Sequence, residues 1–290
     1  MSIKRKLIKT NTPKGQPGFL GAGHIARPVV SGGFSETDPF IMLMDDILDK
    51  KDNTPVGGPH PHAGFETVTF LLDGEMGDEA HKMKSGDFQM MTAGSGIVHT
   101  ETIDKIARMR LLQLWLNLPK KYRQATPRVQ DLQSAHVPAL SENGVSIKLY
   151  SGSLAGLTSR VQNYTPIIVA DITIEAGATT IQQIPANYNT FLYIIKGNVK
   201  VGEDEKQLNQ DQVGWLDLLN ISDQSDLILT TGEAGVRFVL YAGKPTGENI
   251  VSYGPFIADT SEDIQRLYQE YRQGKMKHIS TVPESQRIVL

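Results

Sequence analysis

The 290 residues, with 39% hydrophobic and 21% charged side chains, 27 glycines and 15 prolines, suit a loop-rich globular protein of two ordinary domains and exclude a disordered chain. A net charge of −3 leaves no basic footprint for nucleic acid or an anionic membrane. The absence of cysteine excludes disulfides, thiolate metal sites and cysteine nucleophiles.

The first nine residues are basic but lack the apolar stretch of a signal peptide. No apolar run approaches the ~20 residues that span a bilayer, so a soluble cytoplasmic monomer is expected. Gly21-Ala-Gly-His24 lacks the remaining glycine spacing of a dinucleotide fingerprint. Short β-type runs follow at 65–72, 88–92, 110–117, 167–174, 190–195 and 237–241, separated by Gly, Asn, Asp and Pro. Ser95 is not the centre of a Gly-x-Ser-x-Gly elbow. Residues 119–144 are polar, carry Pro119, Pro127 and Pro138, and show no sustained period. They read as a connection. An amphipathic helix is predicted over 261–274, with Thr260 or Ser261 as cap, Ile264, Leu267, Tyr268 and Tyr271 as its apolar stripe, and Gly274 as its stop. The expected organisation is therefore an N-terminal domain over 1–130, a linker over 131–144 and a C-terminal domain over 145–290.

An internal repeat supports that division. The segment 65–74, Phe-Glu-Thr-Val-Thr-Phe-Leu-Leu-Asp-Gly, matches 188–197, Tyr-Asn-Thr-Phe-Leu-Tyr-Ile-Ile-Lys-Gly. Downstream, Gly86-Asp87 resembles Gln210-Asp211, and 110–116 resembles 237–242. At this offset His60 falls on Gln183 and His62 on Pro185, and Asp223 lies near the position matching His99.

The stretch 57–101 carries the chemistry. It contains Gly-Gly-Pro-His-Pro-His at 57–62 and Thr-Ala-Gly-Ser-Gly-Ile-Val-His-Thr-Glu at 92–101. Side chains two apart on a strand share a face, so His60/His62 and His99/Glu101 each aim two groups into one cavity. Three imidazoles and a carboxylate suit a divalent transition metal. Glu66 shares the parity of His60 and His62 and competes with Glu101 as the carboxylate, depending on any bulge at Gly64. Gln113 alternates with apolar neighbours and either faces the cavity or lies at a polar edge. His81 reads as part of a solvated turn near the cavity mouth, and His24, His136 and His278 as surface or packing residues.

The motifs His60-Pro-His-x-Gly-Phe-Glu-Thr-Val-Thr and Met91-Thr-Ala-Gly-x-Gly-Ile-x-His-x-Glu101 resemble those of the pirin family of the cupin superfamily. So do Leu112-Gln-Leu-Trp-Leu-Asn-Leu-Pro119, Pro185-Ala-Asn-Tyr-Asn189 and Gly254-Pro-Phe-Ile-Ala-Asp-Thr260. The resemblance implies an all-β bicupin: two β-sandwich or jelly-roll barrels face to face, metal in the N-terminal one only, and a short C-terminal helix. It implies His60, His62, His99 and Glu101 as ligands of one metal, most often iron, with Mn, Ni, Cu, Co or Zn as alternatives, and it favours Glu101 over Glu66. The implied activity is a quercetin 2,3-dioxygenase-like reaction of O2 with a flavonol-like substrate, with Glu101 as base. The alternative is a metal- or redox-sensing regulator that binds a transcriptional or metabolic protein partner. The sequence departs from the family in the turn 73–86, which lacks a His-x-Asp-Ser pattern, and at Met90, where Trp is common. Both departures are expected to reshape the pocket mouth.

Overall fold

The structure is a computed structural model that describes residues 2–77 and 82–290. The chain divides into two compact units, neither of them contiguous. One contains Lys14–His136 and Thr246–Leu290; the other contains Met1–Pro13 and Val137–Pro245. Both are built from β-strands.

These boundaries differ from the contiguous division expected above, because both chain ends are used as sheet strands. Ile3–Lys4 runs parallel to Gln224–Thr230, and Leu7–Asn11 pairs antiparallel with Val213–Leu216. Leu7 joins that unit's core. At the other end, Arg287–Val289 runs parallel to Arg128–Leu132, and Lys277–His278 runs parallel to Ile97–His99. A terminal strand satisfies the backbone groups of an exposed sheet edge, whatever its distance in sequence.

The expected connection 119–144 is also more ordered than its composition suggests. Arg128–Leu132 pairs with Phe88–Thr92. Ala139–Glu142 forms a hairpin with Val145–Ser151. Its turn is Asn143-Gly144, with φ of 49° and 74°, the left-handed pair that a two-residue hairpin demands. The Asn-Gly dipeptide was the available signal.

The helix forms over Ser261–Arg272, slightly shorter than predicted. The Thr260 hydroxyl accepts from the Asp263 amide at 3.1 Å, and Gly274 takes φ 67° past the end. Ile264 and Leu267 are buried with Ala63, Phe256, Ala258 and Met276. The helix thus covers the segment next to His62.

The internal repeat is visible in strand register. The strand Phe65–Asp73 pairs with Ala107–Asn117 so that Arg110 faces Asp73, with an irregularity immediately after Arg110. Asn189–Val201 pairs with Val236–Gly243 so that Arg237 faces Lys196, with an irregularity between Ile194 and Lys196. Each arginine then forks onto a carboxylate of the next strand: Arg110 onto Asp45 at 2.8 and 2.9 Å, Arg237 onto Asp171 at 3.1 and 2.8 Å. The downstream landmark is shifted by one residue from the expected alignment. Gly86 (φ 89°) donates its amide to the Leu71 carbonyl, and Asp211 (φ 63°) donates to Ile194. Gly86 is therefore the counterpart of Asp211.

Candidate metal centre

The His60–His62 strand lies antiparallel to Ile97–His99, with His60 opposite His99 and His62 opposite Ile97. A tight turn delivers the second strand: the Gly96 amide donates to the Ala93 carbonyl, and Gly94 and Gly96 have φ of 48° and 127°. A side chain on Gly94 would place its Cβ 2.0 Å from the Ala125 carbonyl oxygen, so only glycine fits.

Three imidazoles converge. His99 Nε2 lies 2.8 Å from His60 Nε2 and 3.1 Å from His62 Nε2. His60 Nδ1 is 3.0 Å from the Gly58 carbonyl oxygen. That contact sets Nδ1 as the protonated nitrogen and leaves the Nε2 lone pair facing the other rings. His62 packs edge-on against Phe65 and Trp115. Burial, reinforced by repulsion from His60, pushes the His62 pKa down to about 3, with the Pro255 backbone working the other way. Burial also holds His99 well below the ordinary value, helped by His62, His60 and His278. Both rings are therefore neutral at physiological pH, as metal ligands must be.

Glu101 stands beside the trio, its Oε2 3.8 Å from His60 Nε2. Burial raises its pKa; His60 opposes the shift and Asp46 adds to it. The backbone is pressed close here, since a Cβ on Gly57 would lie 2.4 Å from the Glu101 carbonyl oxygen.

Glu66, the competing carboxylate, is not part of the group. Gly64 has φ 86°, and a Cβ there would meet the Ile257 carbonyl oxygen at 1.9 Å. The break it introduces cancels the shared parity of His62 and Glu66. Phe65 turns towards His62 and Trp115, whereas Glu66 points to the other face of the sheet and accepts from the Thr92 hydroxyl at 2.6 Å.

His60, His62 and Glu101 border a cavity of about 230 Å³. Its floor comes from alternate residues of paired strands: Met42 opposite Trp115, Met44 opposite Gln113, Asp46 opposite Leu111 and Leu48 opposite Met109. Gln113 therefore faces the cavity, with its Oε1 accepting from Thr69. Met90 is fully buried and pairs with Val68, on the sheet face opposite the one Thr69 shares with Gln113. It does not shape the mouth as expected. The turn 73–86 does reach the cavity, through Met76.

Two of the histidines read as surface or packing residues do pack, and they do so beside this site. His24 is 2% exposed and lines this same cavity. His278 sits on the strand beside Ile97–His99, its Nε2 2.9 Å from the Thr100 hydroxyl. Neither lies near the motif in sequence, so no local pattern announced them. His136 is exposed as expected, against the Leu290 carbonyl. His81 lies outside the described residues.

The other unit has the frame without the histidines. Gln183 lies opposite Asp226, as His60 lies opposite His99. The residue in that cross-strand position is thus Asp226 and not the expected Asp223. Gln183 is exposed, while Ile184, Leu227 and Leu229 are buried in the core.

The donor set fits a transition metal. Imidazole nitrogens bind such ions at about 2.0–2.1 Å, so two at right angles stand about 2.9 Å apart; the separations from His99 are 2.8 and 3.1 Å. Among the described residues, His60, His62 and His99 are the group of ligand atoms close enough to share an ion.

Comparison with known proteins agrees with this architecture. The Pirin family model matches residues 25–116, and the Pirin C-terminal cupin domain matches 169–277. A pirin-like protein of Solanum lycopersicum is 36% identical over 261 residues, covering 87% of this chain and 86% of its own. Pirin of Mus musculus is 33% identical over 293 residues, covering 95% of each chain. The crystal structure of a quercetin 2,3-dioxygenase from Acinetobacter baumannii superimposes with a TM-score of 0.82 at 25% identity, covering 95% of this chain and 99% of that one. With two repeats of one β frame and relatives matched along nearly their full length, the chain is a bicupin and belongs to the pirin family.

Proposed function

We propose that this protein is a metal-dependent dioxygenase acting on a hydroxylated aromatic substrate of the flavonol type, with His60, His62, His99 and Glu101 holding one divalent transition metal, iron in the simplest case. The observation that carries the reading is the convergence of three imidazoles, two of them held neutral by burial, and a carboxylate beside an apolar cavity. The similarity to a quercetin 2,3-dioxygenase supports the choice of reaction.

When bound, such an ion supplies Lewis acidity and redox capacity beside the cavity. The protein's own groups do the rest. The Gly58 carbonyl holds the His60 ring in its ligating tautomer. Glu101, its pKa raised by burial, takes the proton of the substrate hydroxyl; a base with a higher pKa removes it with more driving force. Met42, Met44 and Trp115 present a polarizable wall to the aromatic body and keep water from it. For a flavonol the overall reaction consumes one O2 and releases one carbon monoxide.

The test is metal analysis of the purified protein followed by anaerobic mixing with a flavonol and admission of air. Oxygen uptake matched by carbon monoxide release is expected. Metal-loaded protein that binds the flavonol and consumes no oxygen would sink the enzymatic reading and favour a regulatory one.

A further inference from the structure

The same cavity holds an acid–base pair, His24 and Asp46, outside the candidate ligand set. His24 Nδ1 accepts from the Leu20 amide at 3.1 Å, which leaves the proton on Nε2, and Nε2 lies 2.8 Å from Asp46 Oδ1. Both of its ring nitrogens are therefore committed and the ring is fully buried. Asp46 keeps 17% of its side chain exposed, lines the cavity, and carries no other hydrogen bond among the described residues. Its strand neighbours are apolar, Ala26 on one side and Leu111 on the other. Asp46 stands four residues along its strand from Met42, the partner of the Trp115 that packs on His62. Four residues of strand span about 13 Å. A carboxylate held this way, on a floor of methionine, leucine and Trp115 side chains whose other polar residue, Gln113, is engaged with Thr69, accepts hydrogen bonds and donates none.

We propose that Asp46, oriented by His24, is the second polar anchor of the cavity and a specificity-determining residue. It accepts a hydrogen bond from a further hydroxyl of an aromatic ligand whose first hydroxyl is directed at the histidine trio. The inference rests on the aromatic-substrate reading above and names the substituent pattern that reading leaves open. Methyl ethers and compounds with one hydroxyl satisfy the trio but leave Asp46 without a donor. The cavity volume of about 230 Å³ lies below the roughly 300–1,000 Å³ that encloses drug-sized ligands. A three-ring flavonol therefore extends past Phe19, which is 79% exposed at the cavity edge.

The experiment is equilibrium titration of iron-loaded protein, without oxygen, with quercetin and with 3-hydroxyflavone, which has the same skeleton and only the 3-hydroxyl. Wild type is expected to bind quercetin about tenfold to a hundredfold more tightly, the range set by a hydrogen bond to a charged group. Asp46→Asn should remove most of that ratio. Because the Asp46 charge also acts on Glu101, the Kd for 3-hydroxyflavone is expected to shift as well, but by less than the Kd for quercetin, a split that general structural damage does not produce. His24→Gln, which leaves the carboxylate but frees its support, should reduce the ratio less, and it replaces Asp46→Asn as the test if that variant does not fold. A wild-type ratio near one, an unchanged ratio in the variant, or failure of both flavonols to bind overturns the proposal. Oxygen uptake is read separately. A wild-type ratio that Asp46→Asn abolishes, found without uptake, keeps Asp46 as the anchor and rejects the dioxygenase, whereas uptake with an unchanged ratio in Asp46→Asn does the reverse.

Discussion

Two strand pairs occupy corresponding places in the two repeats and have opposite contents. In one, His60–His62 and Ile97–His99 bring together three imidazoles, His62 and His99 buried and His60 partly exposed, beside a cavity. In the other, Thr179–Pro185 and Gln224–Thr230 supply Ile184, Leu227 and Leu229 to a closed apolar core. The N-terminal segment completes that second unit: Arg5 is fully buried, and its guanidinium donates to Asp217 and to the carbonyls of Pro185, Tyr188 and Asp217. One frame thus hosts either a polar cluster that needs a ligand or a filled interior. The difference is a handful of side chains, because the β frame satisfies its backbone groups in both cases.

The sharpest way to break the contrast is to remove a proposed ligand. His99→Ala should abolish stoichiometric metal binding, measured by elemental analysis of folded protein, while Gln183→Ala should leave metal content unchanged. Next in size, Glu101→Gln should lower kcat/KM for flavonol by about 10²- to 10⁴-fold, the usual worth of a general base; equal activity in the variant would remove Glu101 from proton transfer. In the other unit, Arg5→Ala should cost about 3–5 kcal/mol of stability by leaving buried partners unpaired, seen in denaturant unfolding with metal content intact.

A fourth outcome concerns pH. The His62 pKa is depressed in the folded state, to about 3 from 6.5. Between those values the unfolded chain binds a proton that the folded chain does not, so stability falls as pH falls. The slope from this residue is about 1.4 kcal/mol per pH unit. Chelator-treated protein should therefore lose Tm on acidification from pH 6.5 to 4.5, and His62→Gln should flatten that loss. The smallest effect belongs to the helix cap: Thr260→Ala should cost about 1 kcal/mol, read in the thermal unfolding of metal-loaded protein.

The histidine pairs were legible in the sequence because strand side chains repeat every two residues, so a His-x-His or His-x-Glu spacing carries its geometry with it. The helix was legible for the same kind of reason, since Thr260, its acidic first turn and the Ile264/Leu267 stripe are all local. The repeat was legible too, and it extends to the arginine near the start of the second strand of each pair. The choice between Glu66 and Glu101 was not local. It turns on Gly64, whose left-handed backbone is fixed by the Ile257 carbonyl, supplied by a segment almost two hundred residues away.

His24 and Asp46 became visible as a pair only when two strands were laid side by side in register, because nothing in a 22-residue separation specifies a shared face. The exchange of chain ends between the units had the same origin: which edge a terminal strand covers depends on which edge is open, and that is a property of the assembled sheet. Sequence by itself determined the candidate ligand types, the strand periodicity and the repeat. Tertiary structure decided which carboxylate stands by the imidazoles and which polar pair shares their cavity, because those choices depend on parity breaks and long-range register that no short window of residues contains.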